Sequence, residues 1–299
     1  MVLADSSNTN VVSNLLDDAQ HLILKSFFGR DEPPNSDNPI HAAYRHHFST
    51  LGGGTRIRLT HHCAEHLGIG ESDRRRLAAT VECLHNASLV QDDLQDHSTF
   101  RRGQPSVVAK FGKDVALGLT DSLITTAFVC VSEISNHSVL PDLIGQIHRA
   151  VSETAEGQTT ELSSGFGSQS IDARLTAAKK KSGPLFALAL ELPLIVAGNQ
   201  ESLPDAHEAA CLFGLGYQVL DDLKDQRSDA ENEINGNLVL AMMSDSPDIS
   251  AETRTIELAQ RLLHNAILKA EDLPQGVGTP LIDLVKDLLL QIDFFASAT

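Results

Sequence analysis

The chain has 299 residues and a formal net charge of −17, because 40 Asp and Glu outnumber 23 Lys and Arg. Nucleic acids and anionic membranes attract proteins with a net positive field, so this charge argues against both as partners. Hydrophobic residues make up 41% of the chain and charged residues 21%, a balance typical of a folded globular protein. No run of about eighteen apolar residues occurs, and the N-terminus lacks a basic region followed by an apolar core. We therefore expect a cytoplasmic protein without stable membrane insertion.

Apolar residues recur at helical spacing along nearly the whole chain, whereas the alternation typical of strands is weak. The first such stretch begins at Val12 and ends at a segment rich in breakers, residues 29–39. Further helices are predicted at about residues 40–51, 55–68, 73–97, 114–134, 141–163, 172–199, 205–229, 251–271 and 279–297. No fixed-period repeat and no linker divides the chain. The sequence thus predicts an all-α protein with a single large helical domain over residues 1–299, in which residues 1–39 form a helical N-terminal arm and loop.

The cysteines lie far apart, each within a predicted helix, at Cys63, Cys83, Cys130 and Cys211. Positions of this kind favour reduced thiols in the core over disulfides or metal ligands. We therefore expect four free cysteines.

An acidic motif lies in residues 82–96, which read ECLHNASLVQDDLQD. If this segment is helical, Asp92 and Asp96 share a face one turn apart. Ser88 and His85 continue that face toward the start of the segment. The spacing therefore points two carboxylates in one direction.

The same spacing occurs again in residues 214–225, GLGYQVLDDLKD, where Asp221 and Asp225 are one turn apart and Gln218 lies one turn earlier. Like charges at this spacing destabilise a helix, and a hard divalent cation removes the repulsion. Mg²⁺ binds carboxylate oxygens and keeps water and phosphate oxygens in its shell. Two copies in apolar helical contexts predict a Mg²⁺ site for a diphosphate, and the alternative is a solvated acidic face.

Basic residues that suit phosphate oxygens accompany the acidic motifs. Arg101 and Arg102 follow the first motif in the turn RRGQP. The stretch LGGGTRIR at residues 51–58 places two arginines after a glycine turn, and the run Lys179–Lys181 precedes Ser-Gly-Pro. Each feature alone is an ordinary turn or solvated face, but together they supply cations around an acidic site.

A function of another class is suggested by residues 62–66, His-Cys-Ala-Glu-His, which fit the H-x-x-E-H pattern of zinc hydrolases. The pattern places His62 and His66 one helical turn apart with Glu65 between them. A chance match is unsurprising in a chain with 13 histidines, so the Mg²⁺ and diphosphate hypothesis is favoured.

In these motifs and their order, the chain resembles the trans-isoprenyl diphosphate synthases, or polyprenyl synthetases, and among them the geranylgeranyl diphosphate synthases. The similarity extends from about residue 41 to residue 240. Its landmarks are GGTRIRL at 53–59, the Glu-x-x-His block with the first aspartate-rich motif at 82–106, Asp121, Gln158 with Glu161, KKSG ending at Gly183, and YQVLDDLKD at 217–225.

The resemblance implies an all-α homodimer with an isoprenoid-synthase-type bundle around a deep central cavity. It implies a Mg²⁺-dependent condensation of an allylic prenyl diphosphate with isopentenyl diphosphate. Diphosphate leaves the allylic substrate, the isopentenyl double bond attacks the resulting cation, and a proton is lost. About three Mg²⁺ ions per active site would assist the departure of diphosphate.

The resemblance also implies roles for individual residues. The metal ligands carry over to Asp92, Asp96 and Asp221, with Asp93, Asp222 and Asp225 in support. The allylic diphosphate would be held by Arg101 and Lys181, and isopentenyl diphosphate by Arg58, His85 and Arg102. Gln218 is implied in substrate binding. The catalytic residues implied in this way are Asp92, Asp96, Lys181 and Asp221.

The sequence departs from the family pattern mainly where isopentenyl diphosphate would bind. Two lysines of the pattern are replaced, by Thr55 and by Asn237, and Leu59 and Gln91 also differ from it. The departures leave open a class I terpene synthase or an irregular prenyl-coupling enzyme, both of which ionise a prenyl diphosphate without using isopentenyl diphosphate. Terpene synthases steer cations with aromatic faces, and an aromatic fraction of 4% without Trp disfavours that alternative.

Product length in the family is related to the side chains that precede the first aspartate-rich motif. These are Ala87 and Ser88, both small. Small side chains leave cavity volume, so the resemblance implies a prenyl diphosphate of about twenty carbons or more.

Overall fold

The computed structural model describes residues 6–50, 52–163, 170–231, 237–245 and 251–298. These residues form twelve α-helices, three 3₁₀ turns and one hairpin of two short strands. The all-α fold class predicted from the sequence is therefore confirmed. The chain divides into two compact units, Met1–Ile144 and Gly145–Thr299, and the single domain over residues 1–299 stays a prediction.

The first unit contains α1 (Ser6–Phe28), α2 (Pro39–His47), α3 (Thr55–His66), α4 (Glu71–Gln95), β1 (Phe100–Arg101), β2 (Gln104–Pro105), α5 (Val107–Phe111) and α6 (Lys113–Ser132). The second unit contains most of α7 (Leu140–Ser163), and then α8 (Ile171–Val196), α9 (Leu203–Glu231), α10 (Leu238–Asp245), α11 (Ala251–Glu271) and α12 (Thr279–Ala298). The 3₁₀ turns are His137–Val139, Gln200–Ser202 and Pro274–Gly276.

All ten predicted helices are present, and the ends of the nine that follow α1 lie within four residues of the predicted ones. Two further helices, α5 and α10, were not predicted, nor was the hairpin. These helices have 5 and 8 residues, which is too short for a helical period to show in the sequence.

In the first unit, α4 packs against α1, α3 and α6. Because α4 has neighbours on several sides, apolar residues on opposite faces, such as Leu77 and Ala79, are both buried. The N-terminal arm takes part in this core, since Leu15 and Leu16 of α1 pack against a cluster that includes Ile57 of α3. This packing fixes α4, whose last turn carries the first aspartate-rich motif.

In the second unit, α8 and α9 approach closely because small residues lie where they meet. A Cβ atom added to Gly183 would lie 2.6 Å from Sγ of Cys211 and 2.9 Å from its Cα. One added to Gly214 would lie 3.2 Å from the Cα of Gly183. The adjacent Ser182 donates from Oγ to Oε1 of Gln218 at 3.4 Å. Glycine at 183 therefore allows α8 to contact the turn of α9 that precedes the second motif.

A buried acid of α8 is paired with a histidine of α9 in the same unit. Nδ1 of His207 lies 2.9 Å from Oε1 of Glu191, which is 1% exposed. Nε2 of His207 lies 3.4 Å from Sγ of Cys211 and 3.6 Å from Oε2 of Glu153. Hydrogen bonds to Cys211 and to Glu191 raise the pKa of His207 to about 10. A protonated His207 thus compensates the buried charge of Glu191.

Replacement of His207 by glutamine is expected to remove a pH-dependent part of the stability. Because folding raises the pKa of His207 from 6.5 to about 10, its contribution is complete below pH 6.5 and is lost as the pH rises toward 10. Urea unfolding of both proteins at several pH values across this window measures the effect. The parent should lose more free energy of unfolding than the variant, and parallel pH curves would contradict the assignment.

All four cysteines are buried and free, which confirms that prediction. Among the described helices, α6 is long and apolar enough to cross a membrane by length and composition alone. The buried core helix of a globular protein has the same properties, and eight residues of α6 are buried. The cytoplasmic location stays a prediction.

Candidate functional site

The first aspartate-rich motif occupies the end of α4. Asp92 is half-buried, Asp96 is exposed, and Asp93 is 1% exposed. Nη2 of Arg101 donates to Oδ1 of Asp93 at 2.7 Å, and Nε of Arg101 lies 3.1 Å from Oδ1 and 3.3 Å from Oδ2. A buried carboxylate is stable only with a charged and hydrogen-bonded partner. The middle aspartate therefore anchors Arg101, and its predicted support of the metal ligands stays a prediction.

The hairpin β1–β2 presents the second arginine in a strained turn. The pairing of the strands leaves Arg102 and Gly103 as a two-residue turn with positive φ angles of 52° and 76°. Two positive φ angles are typical of a type I′ turn, whose first position favours Asn or Gly because other side chains are strained there. Nη1 of Arg102 donates to the backbone oxygen of Thr50 at 3.1 Å. The turn and this hydrogen bond together hold the guanidinium in place.

Arginine and histidine side chains meet where α3 packs against α4. Nη1 of Arg56 lies 3.3 Å from Nε2 of His85. Burial, and then the charges of Arg56 and Arg102, lower the pKa of His85 well below its usual value. The imidazole is therefore neutral at pH 7 and can accept a hydrogen bond from Arg56. Nε of Arg58, two residues further along α3, is buried without a hydrogen-bond partner among the described residues.

A chain of buried polar side chains supports this part of α4. Nδ2 of Asn86 donates to Oε1 of Glu82 at 2.8 Å, and Oδ1 of Asn86 lies 2.9 Å from Nε2 of His47 on α2. Burial lowers the pKa of His47 to about 4 and raises that of Glu82. These hydrogen bonds satisfy polar groups that would otherwise be costly to bury, and they fix α2 against α4 beside His85.

The second motif lies in α9, and its middle aspartate is again bonded to the protein. Oδ1 of Asp222 accepts from Nε2 of Gln218 at 3.1 Å, and Oδ2 accepts from the backbone nitrogen of Leu238 at 2.9 Å. Nδ2 of Asn237 donates to the backbone oxygen of Asp222 at 2.7 Å, and Oδ1 of Asn237 caps the N-terminus of α10. Asn237 thus joins α10 to the second motif.

The outer aspartates of the second motif differ in environment. Asp221 is half-buried, and Asp225 is exposed. Burial raises the pKa of Asp221, the charge of Lys224 opposes this, and the carboxylate of Asp225 adds to it. Nζ of Lys224 lies 3.9 Å from Oδ1 of Asp221. The surroundings of Asp221 thus disfavour its ionised form, and a nearby divalent cation would stabilise that form. Carboxylate oxygens are also the ligands that a hard cation such as Mg²⁺ prefers.

Two residues of the lysine run of α8 form ion pairs with acids of the second unit. Nζ of Lys179 lies 2.7 Å from Oε2 of Glu208, and Nζ of Lys180 lies 3.2 Å from Oε2 of Glu156. These two lysines form ion pairs within the second unit. Lys181 is half-buried and stays the predicted substrate-binding lysine.

Each unit brings together a part of the predicted site. In the first unit, one group contains Asp93 and Arg101, and the other contains His85. In the second unit, Gln218 and Asp222 are hydrogen-bonded. Sequence reasoning did not assign Arg56, although it lies inside the motif GGTRIRL, directly after Thr55. The assignment of all these residues to metal and substrate stays a prediction.

Solved structures of isoprenyl diphosphate synthases have this fold. The geranylgeranyl pyrophosphate synthetase of Pyrococcus horikoshii matches with a TM-score of 0.81 and 20% sequence identity, over 95% of this chain and 99% of that chain. At this level of identity the likeness establishes the fold. The chain therefore has the fold of this class of synthases.

The family follows from the sequence. The sequence model of the polyprenyl synthetase family matches residues 37–238, so the chain belongs to that family. An all-trans-nonaprenyl-diphosphate synthase (geranyl-diphosphate specific) of Rhodobacter capsulatus is 33% identical over 183 residues, which are 60% of this chain and 55% of that relative. The chloroplastic geranylgeranyl pyrophosphate synthase 11 of Arabidopsis thaliana is 29% identical over 257 residues, 79% of this chain and 71% of that relative. The match thus spans little more than half the length of the first of these relatives.

Proposed function

We propose that this protein is a Mg²⁺-dependent trans-prenyltransferase that condenses an allylic prenyl diphosphate with isopentenyl diphosphate. The observation that carries the proposal is the repeated construction of the two aspartate-rich motifs. In each motif the middle aspartate bonds to the protein, and the outer aspartates are half-buried or exposed. The reaction class is supported by relatives named as synthases of geranylgeranyl and nonaprenyl diphosphates.

In the proposed reaction, Asp92, Asp96 and Asp221 would hold about three Mg²⁺ ions, and these ions would supply the positive charge that offsets a departing diphosphate. Arg101 and Lys181 bind the allylic diphosphate. The carboxylate of Asp93 accepts hydrogen bonds from Nε and Nη2 of Arg101, and Nη1 lies outside that ion pair. The anchored guanidinium therefore keeps a donor in a defined direction for a phosphate oxygen.

Isopentenyl diphosphate is assigned to Arg58, His85 and Arg102. Loss of one charged hydrogen bond weakens binding by about 1–3 kcal/mol, which is the expected effect of threonine at position 55. Arg56 supplies a guanidinium in the same turn, and its Nη1 is 3.3 Å from Nε2 of His85. We therefore include Arg56 in this binding group.

The test is incubation of the protein with Mg²⁺, labelled isopentenyl diphosphate and one allylic diphosphate at a time, with product analysis before and after phosphatase treatment. Label in a longer prenyl diphosphate supports the proposal. A hydrocarbon or alcohol formed without isopentenyl diphosphate would contradict the proposal and show that the protein is a terpene synthase. A product that joins two allylic units would also contradict the proposal and show that the protein is an irregular coupling enzyme. A chelator control establishes whether turnover needs a divalent metal.

Replacement of Ala87 by phenylalanine is expected to shorten the product. Ala87 is 2% exposed on α4, one and a half turns before Asp92. A ring at this position would fill volume that the growing chain is proposed to use. Chromatography of the dephosphorylated products measures chain length, and Ser88→Phe is the matched variant on the adjacent position. Unchanged product length in both folded variants would show that the end of the prenyl product does not lie beside these two residues.

The homodimer, the single domain and the cytoplasmic location stay predictions from the sequence and the family resemblance. Light scattering of the purified protein measures the oligomeric state.

A further inference from the structure

A group of possible metal ligands lies on α3 of the first unit, apart from the aspartate-rich motifs. It contains His61, His62 and Glu65, each of which offers one ligand atom, and these atoms lie within 4.8 Å of one another. Nδ1 of His62 lies 3.3 Å from Oε2 of Glu65. His61 is buried, His62 is half-buried and Glu65 is exposed, so the group opens to solvent on one side.

His61 carries the independent evidence for a ligand. The residue is only 7% exposed, and neither ring nitrogen has a hydrogen bond of good geometry among the described residues. Its Nε2 lies 3.4 Å from Oε2 of Glu71, which is within ion-pair distance, so the ring nitrogen that lacks a partner among the described residues is Nδ1. A buried polar group without a partner costs free energy, and each such group in a folded protein calls for a physical reason. A metal ion that accepts the lone pair of a ring nitrogen supplies one.

The carboxylate of Glu65 is oriented for the same position. Nη1 of Arg74 lies 2.9 Å from Oε1 of Glu65, and Nη2 lies 2.8 Å from Oε2 of Glu71. Arg74 therefore occupies one oxygen of Glu65 and leaves the other facing His62. Side chains that hold a ligating carboxylate in this way commonly support metal sites.

The trio differs from the zinc hydrolase pattern of residues 62–66. That pattern needs His66 as the second histidine, but the ligand atoms that lie within 4.8 Å of one another among the described residues belong to His61, His62 and Glu65 and not to His66. The histidine that joins His62 and Glu65 is instead His61. The geometry thus disfavours the hydrolase and favours a different ligand set.

We propose that His61, His62 and Glu65 bind a transition-metal ion of the Zn²⁺ class, with water as the fourth ligand. Two imidazoles and one carboxylate are donors that Zn²⁺ prefers, whereas Mg²⁺ prefers oxygen donors alone. Tetrahedral Zn²⁺ with bonds of about 2.0–2.1 Å needs donors about 3.3 Å apart, which small rotations of these side chains can reach. The ion would bind independently of the proposed function, because none of its ligands belongs to the substrate or Mg²⁺ groups.

The test is titration of the chelator-treated full-length protein with Co²⁺ in the presence of excess Mg²⁺, followed by displacement with Zn²⁺. We expect one equivalent of Co²⁺ to give visible ligand-field absorption bands, which Zn²⁺ abolishes because it binds the same ligands more tightly. His62→Ala and Glu65→Gln should each weaken binding by at least about tenfold. Both substitutions are on the accessible side of the group, and circular dichroism checks that the helices are retained.

His66→Ala is the matched control on the same helix and should bind Co²⁺ as the parent does. Bands that persist in His62→Ala and Glu65→Gln, or that disappear in His66→Ala, would overturn the assignment. Absence of Co²⁺ binding to the folded parent in excess Mg²⁺ would also overturn it. None of these outcomes depends on prenyl transfer, so failure of the proposed function would leave the result interpretable.

Discussion

Replacement of Asp92 by alanine is expected to lower the rate of product formation by at least about a thousandfold, which corresponds to about 4 kcal/mol of transition-state stabilisation. Asp92 lies in the last turn of α4 and is half-buried beside the exposed Asp96. In the proposed site its carboxylate would be a ligand of Mg²⁺, which would supply charge to stabilise the leaving diphosphate. Removal of a group that acts on charge developing in the transition state affects the rate more than substrate binding.

The measurement is the steady-state rate at saturating Mg²⁺ and substrates. Asp114→Ala is the matched control, because Asp114 is an exposed acid in the first turn of α6, within the same unit. This variant removes the same charge and should keep the rate of the parent. Full activity in Asp92→Ala would sink the proposed metal site, whichever prenyl reaction the enzyme catalyses.

Replacement of Arg101 by alanine is expected to destabilise the first unit by about 3–5 kcal/mol, the cost of leaving a buried charge without its partner. Asp93 is 1% exposed, and two nitrogens of Arg101 contact its carboxylate. Asp93→Ala should cost less, because the side chain of Arg101 is 32% exposed and can be solvated. The double variant should cost less than the sum of the two, since the residues contact each other directly.

Chemical denaturation of the parent and the three variants gives these free energies. Arg101→Lys is a conservative control that keeps the charge but has lost the planar fork, and it should be less destabilised than Arg101→Ala. Asp93→Ala should also raise the KM for the allylic diphosphate, because Asp93 positions Arg101. Additive effects on stability would show that the ion pair does not couple the hairpin to α4.

Much of the fold could be predicted because the signal for a helix is local. Burial along a helix repeats about every 3.6 residues, so a stretch such as residues 205–229 shows its helix without knowledge of its neighbours. The same local argument fails for α10, which has 8 residues, and for strands of two residues. Their formation depends on contacts with other parts of the chain, such as the hydrogen bond from Leu238 to Asp222.

The candidate site could also be predicted only where its geometry is local. Helical spacing alone placed Asp92 with Asp96, and Asp221 with Asp225, on common faces. It could not show which groups of the protein hold the middle aspartates. Asp93 is anchored by Arg101, which is 8 positions away in the sequence, and Asp222 by a backbone nitrogen 16 positions away.

The all-α class, the positions of the long helices and the spacing of the carboxylates within each motif were already determined in the sequence, because each depends on residues within a few turns of one another. Packing of separate segments decided the rest. It paired Arg56 with His85 across 29 positions and left His61 buried without a hydrogen bond. It also made Asn237 the cap of α10. Contacts of this kind depend on how the helices pack, and a helical period contains no information about which faces meet.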